Sequence, residues 1–308
     1  LNTYSMIISW TWKTVGTNMV IFLIGLQAIP VDPVEAVKLD GATEWQTFRH
    51  VVFPMLKPIT TVVVSMSLIN SFNIFDIIKS SAGMMVLAMG VLVVLVSGGI
   101  DVSFTAMAIF SGYITIRIMI AFGFDSLFLA FLASAFIGLF LGFLNGVIIH
   151  RFRLKPLIVT LGTQNIFIGA LSIFFGTKFI PVGQMPKSIV RFGTNSLLSI
   201  PLSSGGTANL TLFLVPVALV ILVTWFILNR TMLGRSVYAL GSSPIAAQRA
   251  GLNVASIRYF VYSYMGVLAG IMGIIYAAEV RSLNPISLVG EELTIIAATV
   301  LGGAKLTG

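Results

Sequence analysis

Side chains that could do chemistry are sparse in this chain, and their spacing excludes most enzymes. Its two histidines, His50 and His150, lie far apart and show no metal-ligand spacing. Cysteine is absent, so there is no disulfide framework, thiol catalysis or cysteine metal site. No G-x-x-x-x-G-K-[ST] run occurs to cradle phosphates, and the closing GGAKLTG has its glycines and lysine at the wrong spacing. H-E-x-x-H and a nucleophile elbow are also missing, so no catalytic residue, metal or cofactor is expected. What remains is hydrogen bonding in apolar surroundings. Asp101, in GGIDVS, adjoins an apolar window, where a carboxylate is costly unless it faces protein or water. It either caps a helix starting near Val102 or faces a polar path. Asn145, Gln164 and Asn165 carry amides within apolar windows; each either faces a small-solute cavity or ties helices together.

The elements that must position these groups are membrane helices. The chain has 308 residues, of which 57% are hydrophobic and 9% charged, with a mean hydropathy of +1.03. A soluble domain carries about 25% charged residues. So little charge cannot cover a water-exposed surface. Helices are the default span, because backbone groups facing lipid must be satisfied internally. A span needs about 20 apolar residues, and the candidates are Thr14–Gln27, Ile59–Phe75, Ala82–Val96, Phe104–Phe122, Leu127–Ile149, Leu157–Gly176, Leu210–Leu228, Tyr259–Ala278 and Leu293–Gly303. The expected fold is an all-α integral membrane protein, a polytopic bundle of about eight or nine transmembrane helices, some short or broken. The net charge of +8 reads as cytoplasmic loops rather than a nucleic-acid surface, since no basic stripe is interleaved with aromatics. Lys38, Arg49 and Lys57, then Arg151, Arg153 and Lys155, then Arg230, Arg235, Arg249 and Arg258 place three loops inside. Arg117 falls within a candidate span and is expected to snorkel outward. Gly138, Gly142 and Gly146 form a smooth ridge, and Gly266 and Gly270 repeat the spacing, which suits close helix packing in lipid.

One stretch breaks the apolar pattern. EAVKLDGATEWQTFRHVVFPMLKP, residues 35–58, carries Glu35, Lys38, Asp40, Glu44, Arg49, His50 and Lys57. It reads as a helix-turn-helix: a short helix containing Glu35 and Ala36, a positive-φ turn at Gly41, then a second arm whose Pro54 and Pro58 mark entry to the next span.

The spacing Glu35-Ala36-Val37, three residues, Gly41, nine residues, Val51-x-Phe53-Pro54 resembles the EAA coupling loop of ABC importer permeases. Val37, Val51 and Phe53 are apolar substitutions within that pattern. Residues 4–78 as a whole resemble permeases of the maltose and glycerol-phosphate type, with the loop at 30–58. Residues 79–308 resemble a different group, the permeases for ribose and autoinducer-2, in LAMGVLVVLVSGGIDVS, GLFLGFLNGVII, KPLIVTLGT, LGRSVYALGSSPIAAQRAGLNV and ELTIIAATVLGGAKLTG. That region reads as truncated at its C-terminal end. Its loop, 229–258, contains Ile245-Ala246-Ala247, three residues, Gly251, the Ala-to-Gly spacing of the first loop with Ile245 in place of the glutamate. Arg249 lies between. The resemblance implies an apparent chimera joined near Ile78–Ser81 and a multi-pass permease subunit of the plasma (inner) membrane. That subunit moves a simple sugar or sugar-like solute, with Asp101, Asn145, Gln164 and Asn165 as candidates for the solute's path. Its implied partners are a cytosolic ABC ATPase docked at Glu35, Ala36, Gly41, Pro54, Ala246, Ala247, Arg249 and Gly251, an extracytoplasmic solute-binding protein, a second permease copy or paralogue, and the lipid bilayer. A non-transporting fragment, and less so a secondary transporter or channel, are the alternatives.

Overall fold

The computed structural model describes Val15 and residues 18–175, 178–201 and 207–304; the expected window from Thr14 lies partly outside these. The chain divides into two compact units, Leu1–Asp76 and Ile77–Gly308.

In the first unit, α1 (Asn18–Gln27) and α2 (Val31–Leu39) meet at a bend of 70°. The bend falls at Pro30, which cannot donate an N–H into a continuing helix. Thr43 opens α3 (Glu44–Thr47) with a capping box: its hydroxyl accepts from Gln46 N–H while the Gln46 side chain accepts from Thr43 N–H. Pro54 then interrupts the ladder, and the chain passes it as a π-helical turn, Phe48–Val52, followed by the short α4 (Phe53–Met55). The helix α5 (Lys57–Val96) gives its first part to this unit and its apolar window, Lys79–Val96, to the second.

The second unit contains α6 (Phe104–Phe122), α7 (Leu127–Phe152), α8 (Pro156–Phe175) and α9 (Lys187–Thr194). An antiparallel hairpin of β1 (Ser196–Pro201) and β2 (Thr207–Thr211) comes next, with Ser199 opposite Asn209. The chain continues through α10 (Leu214–Arg230), α11 (Met232–Ser242), α12 (Pro244–Arg249), α13 (Val254–Val280) and α14 (Glu292–Leu301). The centre is α13, with α5, α6 and α7 packed around it. A Cβ on Gly138 would strike the Gly266 carbonyl, one on Gly142 the Tyr262 carbonyl, and one on Gly270 the Ser134 carbonyl. The two small-residue ridges therefore face each other, backbone against backbone, and Ser134 Oγ adds a 2.7 Å bond to Gly270 O. Large apolar side chains point away from this centre: Phe128, Phe136, Ile173 and Phe174 are each at least 70% exposed. Buried small and polar groups with an apolar exterior are the arrangement that lipid, not water, favours.

Among the described residues, five helices are long and apolar enough to cross a membrane, or up to seven if the bent pairs α1–α2 and α10–α11 each count as one. The windows Ile59–Phe75 and Ala82–Val96 belong to one helix, α5, because no turn residue separates them. The window Leu293–Gly303 holds only the ten-residue α14. The basic connections α7–α8 and α10–α13 come together at one end of the unit, around a shared cavity. At the other end, Ile180 bridges Leu283, Tyr113 donates to Lys178 O at 2.8 Å, and Ser188 N–H donates to Asp125 Oδ1 at 2.8 Å. Hydrogen bonding from Ser188 holds the exposed Asp125 carboxyl below its usual range.

Candidate functional site

A belt of polar side chains lies buried where α6 begins. Gly98 takes φ +77 after α5, which ends the helix and brings the loop against the backbone of Gly241 in α11. Asp101 comes three residues later and is 2% exposed. Its Oδ1 accepts from both the N–H and the hydroxyl of Ser103, each at 2.7 Å. Asn145 of α7 donates its amide to the same hydroxyl at 2.8 Å, and Val102 N–H donates to Thr160 Oγ1 of α8 at 3.3 Å. One residue into α6, Thr105 donates to Glu292 Oε1. Gln164 of α8 donates to the same oxygen at 2.7 Å, and Gly290 N–H donates to Oε2 at 2.9 Å. The belt thus joins α6, α7, α8 and α14.

Two of its atoms, Asp101 Oδ2 and Asn145 Oδ1, are buried without a partner, and so is the hydroxyl of Tyr262 on α13, beside Gly99. Native interiors pair nearly all such groups. Burial pushes the Asp101 carboxyl up to about 6, against the lowering effect of the Ser103 bonds. The belt can exchange hydrogen bonds. Among the described residues no group of three or more His, Asp or Glu side chains could hold a metal ion.

Asp101 does not cap a helix. The helix α6 starts at Phe104, two residues later than that role requires, and its N-cap, Ser103, makes no side-chain capping bond. The Asp101 side chain instead folds the loop by bonding two residues ahead. Asn145 and Gln164 join the belt. Asn165 does not: it lies on the exposed face of α8 and donates to Leu161 O of its own helix at 2.8 Å. Adjacent helical residues point about 100° apart, so Gln164 and Asn165 cannot share a target. Glu292 did not stand out in the sequence, although a carboxylate opening an apolar window is the same signal that marked Asp101.

The two polar loops are built alike. Asp40 ends α2, Gly41 takes φ +82, Gly41 N–H donates to Lys38 O and Ala42 N–H to Val37 O. Ala250 ends α12, Gly251 takes φ +81, Gly251 N–H donates to Gln248 O and Leu252 N–H to Ala247 O. Both are Schellman turns. Each leads into a polar N-cap: Thr43 for α3, and Asn253 for α13, accepting from Ser256 N–H at 3.1 Å. Glu35, Ala36, Ala246 and Arg249 are exposed, Pro54 is half-buried, and Ala247 is buried.

A bundle with a buried polar belt, an apolar exterior and two exposed polar loops defines a multi-pass α-helical membrane protein. Residues 73–308 match the family described as branched-chain amino acid transport system / permease component, and the chain belongs to that family. It is 31% identical over 242 residues to the ribose import permease protein RbsC of Escherichia coli K12, covering 77% of this chain and 70% of that protein. Identity to the D-allose transport system permease protein AlsC of the same organism is 30% over 236 residues, 77% of this chain and 68% of the relative. To the autoinducer 2 import system permease protein LsrC of Yersinia enterocolitica it is 32% over 242 residues, 78% and 63% respectively. No solved structure matches. The chain is an integral protein of the plasma (inner) membrane.

Proposed function

We propose that this chain is the permease subunit of an ABC importer that moves a simple sugar or sugar-like solute, driven by ATP hydrolysis in a partner subunit. The observation that carries the reading is the likeness, over about three quarters of the chain, to permeases named for ribose, D-allose and autoinducer 2. The belt supports it: carboxylate and amide groups supply the acceptors and donors that solute hydroxyls need, and among the described residues the belt holds no ion pair of the kind a secondary transporter often has. Asp101, Asn145 and Gln164, with Glu292 added, form one wall of the path. The partners would be a cytosolic ATPase seated at α12, a solute-binding protein outside, and a second permease copy or paralogue. The test is uptake of labelled ribose in cells expressing this chain together with the ATPase and binding protein of a ribose importer. Glu292→Gln should lower uptake while the protein still reaches the membrane. Unchanged uptake of every pentose and hexose tried, relative to empty cells, would sink the reading.

The two regions are proposed to come from two permeases joined near Ile78–Ser81. The division into units after Asp76 and the family match beginning at residue 73 support this. Independent amplification and sequencing of the gene across that join is the check.

A further inference from the structure

A cavity of about 690 Å³ opens at the basic end of the second unit. Its wall holds His150, Arg151, Arg153 and Arg258, with Leu154 and Leu252 among its apolar members. Among the described residues no carboxylate lines it, and none of the three arginines forms an ion pair. His150 Nδ1 is buried and has no partner. Three guanidinium groups line one concavity with no carboxylate to offset them, which favours an anion there, most where water is excluded. The α13 N-terminus adds to the field: Val254 and Ala255 line the cavity, and first-turn amides have no partner inside the helix.

The depth of the cavity decides which anion. His150 and Arg151 form the last turn of one apolar span, and Val254 and Ala255 the first turn of another. The cavity therefore lies where both spans leave the apolar zone, at the level of lipid headgroups. Large apolar side chains stand open there: Leu154, in the cavity wall, is 46% exposed, and Phe152, next along the chain from Arg151, is 67% exposed. A soluble anion would satisfy the arginines and leave these in water. An anionic phospholipid satisfies both, with its phosphate among the arginines and its chains along Phe152 and Leu154.

We propose that this cavity is a binding site for the headgroup of an anionic phospholipid in the cytoplasmic leaflet. Basic pockets at the ends of membrane helices suit that chemistry. Pro244, Ile245 and Gln248 of α12 also line the cavity, so the bound lipid would brace the second polar loop from beneath. The site itself does not depend on which solute the protein carries.

The test uses the purified full chain in detergent micelles doped with equal amounts of phosphatidylglycerol and phosphatidylcholine, with retained lipid counted by native mass spectrometry. The parent should keep phosphatidylglycerol in preference to phosphatidylcholine. Arg151→Gln, Arg153→Gln and Arg258→Gln should each weaken retention about fivefold, while the matching Arg→Lys variants should keep most of it. Millimolar inorganic phosphate should not displace the lipid. Equal retention of the two lipids, unchanged retention in all three glutamine variants, or displacement by inorganic phosphate each overturns the proposal. Loss of a co-purified ATPase from those variants with lipid retention unchanged would assign the cavity to a protein partner instead. The single substitutions and their melting curves separate lost binding from lost fold.

Discussion

The two polar loops share a turn and differ in what lies behind it. Both end a short helix on a positive-φ glycine, close it with the same pair of backbone bonds, and restart from a polar N-cap. Yet α2 has no buried residue, whereas α12 buries Ala247 and leads at once into α13, the unbroken 27-residue helix at the centre of its unit. The first loop passes through a capped single turn, a π-turn and the Pro54 break before α5 begins. Equal local chemistry thus gives unequal mechanical backing. A docking helix transmits force only if the segment behind it is rigid, so the second loop is the better candidate to couple with an ATPase.

The largest effect should come from loosening that backing. Gly266→Val would drive a branched side chain into the Gly138 carbonyl, which should cost about 3 kcal/mol or more and abolish accumulation of folded protein in the membrane. Gly25→Val, in the first unit, meets the Ile59 side chain, at Cδ1, Cγ1 and Cγ2, rather than backbone; a side chain can shift where a backbone carbonyl cannot, so the loss should be smaller. Expression and melting of the two variants side by side would break the comparison if Gly25→Val proved the worse.

Coupling comes next. Charge reversal at Arg249 should cut solute-stimulated ATPase activity in the reconstituted complex more than tenfold, the equivalent of about 1.4 kcal/mol or more. Reversal at Glu35 should do less. A larger loss from Glu35 would make the first loop the working coupler.

Strain at the shared turns should be smaller and equal. Nothing lies within 4 Å of a Cβ placed on Gly41 or Gly251, so Gly41→Val and Gly251→Val meet only the backbone penalty of positive φ, about 1–2 kcal/mol each. Limited proteolysis of the loops measures it, and unequal sensitivity would show that burial enters the turn itself. The smallest effect belongs to Lys38 and Glu44, paired at 2.7 Å but 45% and 85% exposed. A double-mutant cycle should give a coupling below about 0.5 kcal/mol.

Local features were legible in the sequence because each rests on one residue's own physics. Gly41 and Gly251 are where the chain needs positive φ, and an apolar run longer than a bilayer crossing has one stable conformation in lipid. The glycine ridges were legible too, since four-residue spacing puts them on one helix face. Which ridge meets which was not, and neither was the belt. Asp101, Asn145, Gln164 and Glu292 lie on separate elements, and only the crossing of α6, α7, α8 and α14 brings them to one level. Asn165 looked equivalent to Gln164 on composition, and the helical twist alone separated them. The same holds for the three arginines of the basic cavity. Their sign comes from the sequence, as does the expectation that they share one side of the membrane, but their convergence on one cavity depends on the packing of α13 against α7, because packing between distant segments carries no signature in the spacing of either one.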